Sequence, residues 1–204
     1  MRNFRDASKF NLNFKKGLVY RGAIFDMLRD DYKLLEELNI NTVIDLRADR
    51  EVETIFYSEK VLSRVNYVNA YFDPWNQPEW FQEKYSKGSN EEIAYRFFAM
   101  GCKESVRKTF ETILEHESGA IAIHCHAGKD RTGIIFSMLH LLLGSPIGNL
   151  YTDYLASEMD VSKEKLNIAL DIIEKEGGIE SYLLSCGLTE DQMLKLKYKL
   201  LNEK

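Results

Sequence analysis

The sequence predicts an α/β fold, with a central, mostly parallel sheet of four or more strands flanked by helices and a helical C-terminal half. Three observations carry this prediction. Short runs rich in β-branched and aromatic residues occur only in the first 124 residues. The run Ala120-Ile121-Ala122-Ile123-His124 is continuously apolar up to its final histidine, as expected of a strand covered on both faces. Beyond it the chain has helical periodicity, interrupted at Gly144-Ser145-Pro146, Glu176-Gly177-Gly178 and Cys186-Gly187.

Taken in order, the strand candidates are Leu18-Val19-Tyr20, Thr42-Val43-Ile44-Asp45-Leu46, Val65-Asn66-Tyr67-Val68 and the run at 120–124. Between the first two, residues 30–38 start on Asp30 and place Leu34, Leu35 and Leu38 on one helical face. Between the last two, residues 90–117 form one long helical candidate that stops before Gly119. Pro74-Trp75-Asn76-Gln77-Pro78 is an irregular loop after a strand, placed to overhang a site. The aromatic group Trp75, Trp80, Phe81 and Tyr85 suits a core more readily than a lid. The chain shows no internal repeat or low-complexity tract, and residues 1–204 are expected to form a single domain.

Composition narrows the function. With 45% hydrophobic residues the chain can bury a sizeable core, and 27 basic against 32 acidic side chains give a net charge of -5. That balance argues against a nucleic-acid-binding or anionic-membrane surface, so an anionic substrate needs a focused site. Cys102, Cys125 and Cys186 are widely spaced in a chain with no secretory leader pattern, which favours a reducing cytoplasm. The longest apolar stretch, 134–143, is too short to span a bilayer, and a monomer is expected.

The informative segment is His124-Cys125-His126-Ala127-Gly128-Lys129-Asp130-Arg131-Thr132-Gly133, set between the buried strand and an apolar helix. A strand-loop-helix unit puts its loop at the carboxyl edge of the sheet, where open α/β folds bind ligands. Small residues at Ala127 and Gly128 let successive N–H groups turn inward, so the backbone of residues 126–131 can cradle a tetrahedral phosphate. Arg131 can add a bidentate contact to two phosphate oxygens. The positive surroundings favour the thiolate of Cys125, which could attack phosphorus in line and form a phosphocysteine that water later hydrolyses. Loop N–H groups and Arg131 would stabilise the equatorial oxygens without a metal or other cofactor. The leaving alkoxide needs a proton, from Asp130 inside the loop or from Asp73 in the loop after the third strand. Thr132 could donate to the sulfur and make it a better leaving group.

Bland alternatives stand beside these roles. Asp73 suits loop formation before Pro74, His124 suits orientation of the loop, and Asp45 with Arg47 suits a structural ion pair. His126 and Lys129 could be solvated loop residues or substrate contacts. A nucleotide-binding loop is ruled out, because the glycine spacing and the Ser or Thr after the lysine are missing.

The loop resembles the active-site loop of the protein tyrosine phosphatase superfamily, His-Cys, five residues, Arg, then Ser or Thr. Its fuller form resembles a microbial branch that includes secreted phosphatases of bacterial pathogens, active on phosphoproteins and phosphoinositides. Asn3-Phe4-Arg5-Asp6, Tyr20-Arg21-Gly22, Val43-Ile44-Asp45-Leu46-Arg47, Asp153-Tyr154-Leu155-Ala156-Ser157 and Tyr182-Leu183 before Gly187-Leu188 extend the resemblance over nearly the whole chain. One departure is Ala7-Ser8-Lys9-Phe10, where that family has a Gly-rich turn.

The resemblance implies a tyrosine-phosphatase-like fold and a metal-independent phosphomonoesterase, with Cys125 as nucleophile, Arg131 as phosphate clamp and Asp130 as acid. It associates Lys129 with substrates carrying extra phosphates. Phosphotyrosine proteins, phosphoserine or phosphothreonine proteins and phosphoinositides are the implied substrates, and similar enzymes can be exported without a recognisable signal. The competing expectations are a catalytically weak phosphate-binding module, an inositol-phosphate phosphatase, and an oxyanion reductase, which would need Cys102 and Cys186 as a resolving pair near Cys125.

Overall fold

The computed structural model describes residues 1–25 and 32–202. Its strands are β1 (Arg5–Asp6), β2 (Val19–Gly22), β3 (Ile40–Asp45), β4 (Asn66–Asn69) and β5 (Ala120–His124). Its helices are α1 (Lys33–Glu37), α2 (Asp49–Thr54), α3 (Glu59–Leu62), α4 (Glu79–Tyr85), α5 (Asn90–Met100), α6 (Lys103–Glu115), α7 (Asp130–Leu142), α8 (Ile147–Leu155), α9 (Lys163–Lys175), α10 (Ile179–Ser185) and α11 (Glu190–Leu200). The sheet order is β1-β2-β5-β3-β4, with β2, β5, β3 and β4 parallel and β1 antiparallel at the edge.

Every residue of β5 is buried, as its unbroken apolar character requires. The strand still alternates: Ile121 and Ile123 join the large core built by α5, α6, α7, α9, α10 and α11, while Ala120 and Ala122 join a smaller core with Leu35, Tyr57 and Val61. In β3, Ile40 and Val43 enter the same smaller core although three residues apart. The pairing with β5 skips a residue between Ile40 and Thr42, and that irregularity turns both side chains to one face.

Two expectations about elements are corrected: the helical pattern expected to run unbroken from 147 to 175 is interrupted at 156–162, between α8 and α9, and one long helix becomes two. The helix expected over 90–117 is two helices: Gly101 and Cys102 end α5, and α6 starts afresh at Lys103. At Gly101 a Cβ would stand 2.1 Å from the Phe97 ring, so the turn is built for a residue without a side chain. The apolar period runs through this corner, which hid it. The strand β1 was not foreseen, because two residues carry no alternation. The helix expected from Asp30 is described from Lys33 onward, and Asp30 itself lies outside the described residues. The chain from Ala7 to Lys9 forms a short 3₁₀ turn capped by Asp6, whose carboxylate accepts from Ser8 N and Gly17 N, and Phe10 ends it.

Parallel strands in close register bring their carboxyl ends to one edge. Gly22 pairs with His124, His124 with Asp45, and Asp45 with Asn69. The segment 125–129 leaves the central strand there, between the chain after β2 on one side and the segments after β3 and β4 on the other.

Candidate active site

Cys125 follows the last residue of β5 and is 2% exposed. The backbone around it is tied to both neighbours: Leu46 N donates to His124 O at 2.8 Å and Ile24 N to His126 O at 3.2 Å. Gly128 has a φ of +68°, and a Cβ there would lie 2.3 Å from the Gly22 carbonyl carbon, so the two backbones touch where no side chain fits. Lys129 then caps α7 without a side-chain cap bond, which leaves the first-turn N–H groups for an anion.

Arg131, 8% exposed, points back under the loop. Glu51 of α2 meets it with both oxygens, at 2.5 Å to Nη1 and 2.8 Å to Nη2. The Leu46 and Phe72 carbonyls each lie 3.4 Å from Nη1. Burial works against this cation, yet the Glu51 hydrogen bonds and the charge of Cys125 raise its ionisation above the ordinary arginine value. Glu51 moves the other way: burial opposes its charge, but Arg131 and the Ala48 N–H hold its carboxyl below the usual range. A buried guanidinium with no carboxylate partner would be costly, and Glu51 removes that cost while fixing the plane of the group.

His124 is fully enclosed. Its Nδ1 lies 3.1 Å from the Cys125 carbonyl, which can only accept, so the proton sits on Nδ1. Nε2 then accepts from Tyr57 Oη at 2.9 Å, and Tyr57 in turn accepts from Phe25 N. Burial, opposed by Asp45, pushes the imidazole pKa down, so the ring is neutral and orients the loop, as the sequence reading favoured. Asp45 and Arg47, both fully buried, form the expected ion pair at 2.6 Å.

The spaced motifs at 3–6, 20–22 and 153–157 converge on the loop, while Tyr182 of the last motif donates to Ala99 O on α5. Asn3 Nδ2 donates to Ala127 O at 2.8 Å and Arg21 Nη2 to Gly128 O at 3.1 Å. Asp153 of α8 holds both arginines of this support: Arg5 Nε donates to Oδ1 at 2.7 Å, and Arg21 Nη1 donates to Oδ2. Arg5 also reaches Ser157 Oγ at 3.2 Å. The motifs at 3–6, 20–22 and 153–157 were recognised as resemblances, and their shared job of holding the loop from below emerges only in three dimensions.

The two acid candidates sit differently. Asp130 starts α7 with its side chain one-third exposed, 3.5 Å from Lys129 Nζ, and Oδ1 accepts from Tyr95 Oη at 2.5 Å. Asp73 accepts from Trp75 N at 2.9 Å, a turn-forming bond of the kind expected before Pro74, and lies one residue beyond the Phe72 carbonyl that Arg131 approaches. Thr132 is fully buried and its hydroxyl has no hydrogen-bond partner, so its expected bond to the Cys125 sulfur is not made here. His126 is exposed.

Lys129 is not the solvated charge that sequence allowed: it is 6% exposed and Nζ donates to the Asp160 carbonyl at 3.1 Å. The aromatic group divides, with Phe81 buried in the core, Tyr85 half-buried, and Trp75 and Trp80 exposed. Trp75 carries the Arg50 guanidinium 3.3 Å above its ring, which ties the 74–78 segment to α2. Cys102 and Cys186 are free buried thiols, each pushed up to about 12 chiefly by burial. Among the described residues, no group of three or more His, Cys, Asp or Glu side chains could hold a metal ion, and no helix is long and apolar enough to cross a membrane.

Glu51 and Tyr95 were missed by sequence reasoning, and Tyr154 entered only as part of a resembling motif, with no role. For Glu51 a signal existed, since a buried arginine needs a carboxylate and Glu51 lies in the first turn after a strand end. Nothing local marks Tyr95, and the motif around Tyr154 gives no hint of its hydroxyl's partner.

Known proteins carry the same plan. A curated relative, a tyrosine-protein phosphatase of Nostoc commune, is 27% identical over 127 residues, covering 46% of this chain and 43% of its own length. Pseudomonas TpbA (P. aeruginosa) superposes with a TM-score of 0.52 at 13% identity over 85% of this chain and 88% of its own. The core catalytic domain of the PP-IP phosphatase SIW14 from S. cerevisiae superposes with a TM-score of 0.51 at 16% identity, over 84% of this chain and 94% of its own. At such identities these structures establish the fold. The model of the tyrosine phosphatase family matches residues 1–166, a span holding the whole loop and each residue that supports it, and on that match the chain belongs to the tyrosine phosphatase family.

Proposed function

We propose that this chain is a cysteine-dependent phosphomonoesterase. The observation that carries this reading is the pairing of Cys125 with a Glu51-braced Arg131 on a loop that runs into an uncapped helix N-terminus. Cys125 Sγ attacks phosphorus opposite the leaving oxygen, the S–P bond forms as the P–O bond breaks, and the leaving oxygen takes a proton from Asp130. Water then attacks the phosphocysteine, giving its proton to the Asp130 carboxylate and releasing the thiolate. Glu51 engages both terminal nitrogens of Arg131, so the guanidinium plane is fixed before substrate arrives, and the loop N–H groups share the equatorial oxygens. The unpartnered Thr132 hydroxyl is available to the sulfur as it leaves.

Phosphotyrosine in proteins is the substrate this reading favours. The family match and the curated relative support it, as does Lys129, whose ammonium is held inward by Asp160 O and Asp130 instead of reaching for a second phosphate. We read residues 1–204 as one domain, because α9 packs on α5 and α11 on α6.

The test is hydrolysis of an aryl phosphate in excess chelator, followed by a kinetic panel of phosphotyrosine peptide, phosphoserine peptide and phosphoinositides. Wild type should turn over, and Cys125→Ser should lose at least about a thousandfold. Undiminished turnover by that variant would remove Cys125 from the mechanism. A higher kcat/KM for phosphoinositides than for phosphotyrosine would replace the favoured substrate. Binding of phosphate with no turnover would mark a binding module.

A further inference from the structure

We propose that Tyr95, backed by Tyr154, is a positioning residue for the Asp130 carboxyl group, holding one oxygen so that the other faces the leaving group. The inference rests on the reading of Asp130 as the acid and adds how that acid is aimed.

Three helices meet at this carboxyl. Tyr95 lies on α5, is 2% exposed, and places its hydroxyl 2.5 Å from Asp130 Oδ1 and 2.6 Å from the Tyr154 hydroxyl. Tyr154 lies on α8 and is fully buried; its ring packs on Gly133 of α7, where a Cβ would come within 2.7 Å of Tyr154 Cδ2. The helix that carries Asp130 therefore also seats the second tyrosine. Packing alone does not call for either hydroxyl, since phenylalanine would fill the same space and a buried hydroxyl costs free energy unless bonded.

The direction of the chain follows from the carboxylate, which only accepts. Tyr154 donates to Tyr95, and Tyr95 donates to Oδ1. A proton that arrives at Oδ2 or leaves it does not disturb this order, because Oδ1 remains an acceptor in both states. Asp130 can then give its proton to the leaving oxygen and recover one from water without moving. Burial, followed by the Asp130 charge, raises Tyr95 above the ordinary tyrosine range, and burial likewise lifts Tyr154 to about 12, so both stay protonated donors at neutral pH. The other charged groups facing Asp130 are Lys129, 3.5 Å away, and Arg131, the next residue of α7.

The experiment compares Tyr95→Phe with wild type on an alkyl phosphate and on an aryl phosphate with a good leaving group. Losing the donor weakens the carboxylate relative to the acid, so the high-pH limb of kcat/KM should move up by about one pH unit. The alkyl ester should lose about 10-fold in kcat and the aryl ester far less, with KM little changed. Equal losses on both esters with an unmoved limb would overturn the proposal. A second measurement needs no turnover: the Asp130 carboxyl is titrated by carbon-13 NMR in Cys125→Ser, with and without Tyr95→Phe. An upward move of its midpoint supports the tyrosine hold, and an unchanged midpoint refutes it. Failure of the phosphatase reading shows elsewhere, as full turnover by Cys125→Ser.

Discussion

Arg131 is a cation sunk beneath the loop, and one carboxylate decides whether it can stay there. In Glu51→Ala the guanidinium would keep two distant carbonyl contacts and lose its charge partner. A broken buried pair costs about 3 kcal/mol, and the loosened fork should cut kcat/KM by more than about 10-fold. Denaturant unfolding and steady-state kinetics on the purified variant check both effects, and an unchanged unfolding midpoint would show that Arg131 does not depend on Glu51. The same residue shows what sequence could and could not reveal. Cys125, Asp130, Arg131 and Thr132 lie within one continuous segment whose chemistry can be read locally, while Asp73 was found only as a carboxylate in a loop after another strand. Glu51 is 80 residues from Arg131, and its role depends on two strand ends meeting at one edge.

At the scale of elements, the loop keeps its shape through Gly128. Gly128→Ala puts a methyl group at positive φ against the Gly22 backbone, where neither partner can retreat like a flexible side chain. We expect a stability loss of about 1–3 kcal/mol and a much larger fractional loss of turnover, because the N–H cradle must shift to make room. Melting curves and aryl phosphate hydrolysis measure the two, and wild-type turnover in the variant would show that the loop tolerates the shift. The parallel strands and three of the breaks between the last helices were legible, since buried apolar runs and Gly or Pro punctuation are local signals. The break at 156–162 between α8 and α9 carries neither Gly nor Pro and was not legible. The corner at Gly101 and the edge strand β1 were not: one is masked by continuous apolar periodicity, and the other exists only through its pairing with Tyr20 and Arg21. The split of the aromatic cluster between core and surface was equally hidden, because Trp75 and Phe81 look alike until tertiary neighbours are known.

For the whole molecule, buried ionisable groups set a pH dependence. His140 is held down to about 4 by burial, even with Asp153 Oδ2 4.0 Å away, and burial lowers His116 and His124 too. The folded state keeps these rings neutral, while the unfolded chain takes up protons below about pH 6.5. Stability is therefore full above that pH and falls as acid is added, with His140 alone contributing a loss of about 2 kcal/mol between pH 7 and pH 5. Asp45, Glu51 and Asp153, whose folded values are depressed, extend the loss below about pH 4. Urea unfolding at pH 7 and pH 5 tests the sign, and greater stability at pH 5 would contradict it.

The bond between Arg5 and Asp153 closes a span of 148 residues directly beneath the loop. Bridging so long a span has an entropic cost, and contacts of this separation belong late in folding. The loop itself could form early, since strand, turn and helix are contiguous, but its floor arrives only when the two distant ends of the span meet. A partly folded chain would thus carry a cysteine without the rigid cradle that makes it useful, and catalytic competence becomes a property of completed topology.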